Sequence, residues 1–106
     1  MRRWCLPSAF ALALGCTVAV AQEQFPAVQI KAGSAIFAQN CAPCHGARML
    51  DAQAAFDLRK FPPGERARFI DTVTHGVRGM PPWGDLLKPD DVEALWAYVR
   101  AGERKN

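Results

Sequence analysis

Cys41-Ala42-Pro43-Cys44-His45 is the stretch of this sequence best equipped to form covalent and coordinate bonds. Two thiols separated by two residues and followed at once by an imidazole form the C-x-x-C-H pattern of c-type haem attachment. The spacing has a physical basis. Two such thiols reach the two vinyl groups of one porphyrin and become thioethers, and the adjacent histidine is then held beneath the iron as its proximal ligand. Other chemistries use similar residues. A thioredoxin-like pair belongs beside a βαβ pattern, and this sequence has none. A zinc site takes four ligands, and beyond the first segment only Cys41, Cys44, His45 and His75 are available. His45, directly beside Cys44, is badly placed to close a tetrahedron. A plain disulfide stays open as a reading, but the loop it closes is too small to stabilise the chain much by entropy.

An iron held by His45 on one side needs a ligand on the other. Met49 lies four residues after His45, too near to cross the ring easily. Met80 lies 35 residues beyond His45, within Gly79-Met80-Pro81-Pro82-Trp83-Gly84, where two prolines and two glycines forbid regular structure and limit how the loop relaxes. A methionine in a small protein is ordinarily core filler, and His75 is the rival ligand. Met80 is the expected sixth ligand. Arg59 and Trp83 carry donors suited to the haem propionates, set against a solvated Arg59 and a Trp83 that only packs.

The elements that position these groups read as helices. Lys31 to Asn40 leads into the cysteine motif, with Ala35, Ile36 and Phe37 supplying apolar surface. A turn of helix is expected near Asp51 to Phe56, and Pro62-Pro63-Gly64 breaks the chain. Ala67, Ile70, Val73 and Thr74 then recur at helical spacing until Gly76. The last helix is the clearest. Pro89 suits its first position, Asp90 and Asp91 favour its positive end, and Val92, Leu95, Trp96 and Val99 form an i, i+3, i+4, i+7 stripe that ends at Gly102. Trp96 belongs to this stripe and is expected in the core. With no strand pattern and no repeat, the expected fold is all-α, three to four short helices around one haem.

The first segment reads differently. Arg2 and Arg3 precede an uncharged, Ala-rich run that ends in Ala19-Val20-Ala21, the layout of a secretory signal peptide over residues 1–21. The uncharged run falls short of the roughly 20 apolar residues of a membrane span, so no stable membrane anchor is expected. Leu14-Gly15-Cys16 leaves lipid attachment at Cys16 as an alternative, and Arg2-Arg3 lacks the flanking residues of a twin-arginine signal. Cleavage after Ala21 leaves 85 of the 106 residues: a loose lead-in over 22–30 and a domain over 31–104. It also removes two basic residues, leaving 11 basic against 10 acidic and a net charge of +1. So near-neutral a chain has no broad basic field, and nucleic acid is not an expected partner. A domain this small has a thin core and ordinarily needs a staple, and a large apolar cofactor supplies one.

Taken together, these residues resemble the class I monohaem cytochromes c over nearly the whole mature region. The resemblance rests on Gly33 and Phe37, on Cys41-Ala42-Pro43-Cys44-His45-Gly46, on Gly79-Met80-Pro81-Pro82-Trp83-Gly84, and on Leu95 and Tyr98. It implies that the first and last helices cross at a small residue and an aromatic ring, and that Leu58 packs on the haem. Phe56-Asp57-Leu58-Arg59 through Pro62, Met80-Pro81-Pro82-Trp83 and Leu95-Trp96-Ala97-Tyr98 look most like small cytochromes associated with quinoprotein alcohol dehydrogenases. In the family a proline two residues before the leucine accepts the proton on the free nitrogen of the proximal histidine. Phe56 stands there instead, so a backbone carbonyl between Ala55 and Asp57 is expected to take that role.

An iron with His45 on one face and Met80 on the other has no vacant position, which favours outer-sphere electron transfer over oxygen or peroxide chemistry. The expected function is a periplasmic, monomeric one-electron carrier between a dehydrogenase and an oxidase or another cytochrome. Two alternatives stand beside it: a haem enzyme or ligand-binding protein in which Met80 dissociates, and a tightly bound cytochrome subunit of a dehydrogenase complex.

Overall fold

The computed structural model describes residues 15, 24–52 and 55–102. The signal-peptide reading, Cys16 and the last residues of the expected domain lie outside the described residues. Four α-helices order the rest: α1 (Ala27–Asn40), α2 (Ala42–His45), α3 (Arg66–His75) and α4 (Pro89–Ala101). Single 3-10 turns at Ala47–Met49 and Leu58–Lys60 punctuate the connection from α2 to α3. The described residues contain no strand, only an isolated bridge between Val77 and Met80. The fold is all-α, and none of its described helices is long and apolar enough to cross a membrane.

α1 starts four residues before Lys31, so the loose lead-in is shorter than expected. The reason is local. Pro26 is the last breaker, and its carbonyl accepts from the amides of Gln29 and Ile30 at 3.0 and 3.1 Å, satisfying two donors a helix start otherwise leaves open. The turn of helix expected near Asp51 to Phe56 lies partly outside the described residues, although the Ala55 amide donates to the Ala52 carbonyl at 3.0 Å; a 3-10 turn follows at Leu58–Lys60, where the Asp57 carboxylate accepts from the Arg59 amide at 3.0 Å. α4 begins as expected at Pro89, and the Asp91 carboxylate accepts from the Lys88 amide at 2.9 Å.

The core is built where α1 crosses α4. The Phe37 and Tyr98 rings meet there at 5.3 Å. At Gly33 the helices come so close that an added Cβ would collide with the Ala94 carbonyl and sit 2.9 Å from the Cβ of Tyr98. α3 packs on the other side of α4. Phe61 meets Phe69 and Trp96 edge-on, at 5.6 and 6.0 Å, and Phe69 and Trp96 lie 5.1 Å apart. Trp96 is 1% exposed, so it is a core residue as expected. Met49 is 1% exposed as well, fully occupied in packing.

Candidate functional site

The cysteine motif continues α1 after a one-residue break. The Cys41 amide donates to Phe37 at 2.8 Å, and the amides of Cys44 and His45 return to the Cys41 carbonyl at 3.2 and 2.9 Å. Residues three and four apart on a helical turn share one face, so Cys41, Cys44 and His45 project together. Pro43 is tolerated because it sits in the first turn. The chain must then turn sharply away. Gly46 does so at φ 82°, with the Leu50 carbonyl where a Cβ would stand, so only glycine fits.

His45 Nδ1 lies 3.2 Å from the Phe56 carbonyl. A carbonyl only accepts, so this contact puts the proton on Nδ1 and leaves Nε2 with its lone pair free for a metal. The acceptor falls within the Ala55 to Asp57 stretch expected from the sequence.

Met80 reaches the same region on a braced loop. Val77 and Met80 exchange backbone hydrogen bonds at 3.1 and 2.9 Å, and the amides of Trp83 and Gly84 donate to the Val73 and Thr74 carbonyls at 2.9 and 3.0 Å. Those carbonyls are ones the end of α3 leaves unsatisfied, so the loop is clipped onto the helix through its backbone.

Between these parts runs a cleft of ≈ 770 Å³, within the roughly 300–1,000 Å³ of small-molecule sites. Cys41, Cys44, His45, Leu58, Met80 and Trp83 all line it. The rest of its wall is largely aromatic and aliphatic, with Phe37, Phe61, Phe69, Leu95 and Val99 from the core. Cys41 and Cys44 are not joined in a disulfide. Burial, with the neighbouring Cys44 second, pushes the Cys41 thiol up to about 11. Among the described residues no set of three or more His, Cys, Asp or Glu side chains is gathered for a metal ion such as zinc. The donor set therefore suits a large, flat, apolar group with two attachment points and two axial ligands.

The rival ligand His75 and the propionate candidate Arg59 both lie outside the cleft lining. His75 is exposed and its Nδ1 faces the Asp71 carboxylate at 3.0 Å, away from the cleft lining. Arg59 also lies outside the lining. Its Nε and Nη2 donate to the two oxygens of Asp57, both at 3.0 Å. The carboxylate that Arg59 meets is thus two residues away in its own chain. This bonding holds the Asp57 carboxyl below its usual range. Because the folded value is depressed, the pair's contribution is complete above the ordinary carboxylate range and is lost as pH falls through it and below. Nuclear magnetic resonance titration should therefore find Asp57 ionising at lower pH than a free aspartate, and Asp57→Asn should abolish acid-dependent loosening of the Arg59 amide. Sequence reasoning missed Arg68 and Arg78, which do line the cleft. Only the tertiary path of α3 and of the Met80 loop brings them there.

Residues 28–99 match the family model described as Cytochrome C oxidase, cbb3-type, subunit III. The chain is similar to cytochrome c6 of Microcystis aeruginosa, 35% identical over 78 residues that cover 69% of this chain and 96% of the relative. The chain belongs to the cytochrome c family. A covalently bound haem c with its iron comes with that membership, and the cleft described above fits such a group. This cytochrome domain is also 39% identical over 75 residues to the cbb3-type oxidase subunit FixP of Azorhizobium caulinodans, across 65% of the chain and 26% of the relative. It is 35% identical over 78 residues to quinohemoprotein alcohol dehydrogenase ADH IIB of Pseudomonas putida, across 71% of the chain and 11% of the relative. The chain thus spans about a quarter or less of these two larger relatives. No solved structure gives a significant match.

Proposed function

We propose that the chain is an exported one-electron carrier in which Cys41 and Cys44 hold haem c through thioethers while His45 and Met80 occupy the two axial positions of its iron. The observation that carries this reading is the meeting of both cysteines, His45 and Met80, 35 residues apart in sequence, in one largely apolar cleft. Bound haem supplies a single electron exchanged between ferrous and ferric iron. The chain's own residues do the rest. The Phe56 carbonyl fixes the His45 tautomer, and the clipped loop keeps the Met80 thioether from swinging away. Phe37, Phe61, Phe69, Leu95 and Val99 exclude water. Leu58 would pack on the ring, and the Trp83 indole N–H would be available to a propionate, since both residues line the cleft. Arg59, engaged by Asp57, has no part in this reading. With His45 and Met80 both holding the iron no open site would remain for a substrate, and electrons would pass at the haem edge through small, transient contacts.

The signal-like segment ending at Ala21 supports export, and in this reading the mature protein is a periplasmic monomer. The alcohol dehydrogenase relative supports a quinoprotein dehydrogenase as donor, and the cbb3-type relatives support an oxidase or another cytochrome as acceptor. Their lengths also favour a second reading, a domain kept permanently within a larger dehydrogenase or oxidase assembly. Gel filtration of the mature protein with a candidate dehydrogenase separates the two, since a diffusible carrier elutes alone.

Met80→Ala is the direct test of the ligand set. The weak band at the red end of the ferric spectrum that marks methionine ligation should disappear, the potential should fall, and added small ligands should now bind the iron. A ferric spectrum unchanged by the substitution would rule out Met80 as the ligand.

A further inference from the structure

The cleft lining holds two cationic side chains, Arg68 and Arg78, and no Asp or Glu. Haem brings two carboxylates into whatever pocket receives it, and a buried or half-buried carboxylate needs a donor. Arg68 is already committed. Its Nε and Nη2 donate to Glu65 at 3.1 and 2.8 Å, and its guanidinium lies 4.6 Å above the Phe61 ring. Arg78 has no ion pair among the described residues.

The backbone at Arg78 is unusual too. Its φ is 51°, in the left-handed region that L residues with a Cβ disfavour. The turn is held there by the paired hydrogen bonds between Val77 and Met80 on either side of it. Glycine would take this conformation without strain, yet the position carries a guanidinium. The same bonds fix the Arg78 backbone relative to Met80, two residues on, so its donors and the thioether are presented to the cleft by one rigid turn.

We propose that Arg78 donates to a propionate carboxylate of the bound haem and is its counter-charge. The inference rests on the haem reading above. A planar guanidinium pairs with a carboxylate through two parallel hydrogen bonds, and a cation so placed disfavours ferric iron relative to ferrous. Arg78 thereby sets the potential as well as the seating of the ring. The rival role for an exposed arginine at a cleft mouth is to attract acidic groups on a partner protein, and that role leaves the isolated protein's potential alone.

The test uses purified holoprotein without any partner: wild type, Arg78→Gln, Arg78→Lys and Arg59→Gln. Mass spectrometry first confirms one added tetrapyrrole in each. If wild type lacks it, the haem reading itself fails, a result distinct from those that follow. At a fixed applied potential, Arg78→Gln should show a several-fold higher ferric-to-ferrous ratio than wild type, and resonance Raman bands of the propionates should shift. Arg78→Lys should recover at least part of the potential, and Arg59→Gln should match wild type. The change should persist at about 1 M salt, where the screening length is near 3 Å. An unchanged ratio in Arg78→Gln, no recovery with lysine, a shift that vanishes at high salt, or an equal shift in Arg59→Gln would each overturn the assignment.

Discussion

Replacing both Cys41 and Cys44 by alanine should leave almost no folded, haem-bearing protein after export. The reason lies in how the core is shared. Phe37, Phe61, Phe69, Val73, Leu95 and Val99 belong to the buried cluster and also wall the ≈ 770 Å³ cleft. A dry void costs roughly 24 cal/mol per Å³, so one on this scale would cost on the order of 20 kcal/mol. That exceeds the whole stability of a typical domain, ~5–15 kcal/mol. The unfilled fold must therefore admit water onto aromatic walls or collapse. Thioether attachment keeps the filling in place, because a tethered ring cannot diffuse away when the fold opens. Single Cys44→Ala should retain one tether and give a reduced yield of folded holoprotein. Circular dichroism and haem absorbance of exported material measure both. A doubly substituted protein that remained helical and cooperative without haem would show that the core stands alone.

What could be read from the sequence follows how local its cause is. The α4 stripe and its Pro89 start depend on neighbours within four residues, and they appear where periodicity and breakers place them. The α1 start was legible only in part: the polar residues ahead of Lys31 suggested a loop, whereas helix formation merely requires that nothing after Pro26 forbid it. The Phe56 carbonyl fell within a three-residue expectation because reaching His45 Nδ1 needs a carbonyl and not a particular side chain. Side-chain pairing was the least accessible. Arg59 has the right chemistry for a carboxylate, and Asp57, two residues away, satisfies it through three contacts at 3.0 Å. Arg78 sits in a turn that sequence patterning treats only as a breaker region, so its approach to the cleft could emerge only from the folded path.

Gly33→Ala should destabilise the holoprotein by about 3 kcal/mol, at the upper end of overpacking costs, which for a domain of this size lowers the melting temperature by roughly 10–20 °C. Local propensity argues the opposite sign. Gly33 lies in the middle of α1, and alanine there should favour helix by about 1 kcal/mol. Contact with α4 decides against it. The new methyl would meet the Ala94 carbonyl and the Tyr98 Cβ, which are backbone or backbone-bonded atoms with no rotamer to yield. The two helices would have to separate. α1 carries Phe37 and ends at Cys41, and α4 carries Leu95 and Val99, all of which line the cleft. Separation therefore widens the haem seat and loosens its water seal, so weaker methionine ligation should accompany the lower melting temperature. Lys31→Ala, exposed on the same helix, is the control and should change stability by no more than about 0.5 kcal/mol. A Gly33→Ala protein melting at or above the wild-type temperature would mean that the helices slide past the added methyl, and that their close crossing is not what holds the cleft to size.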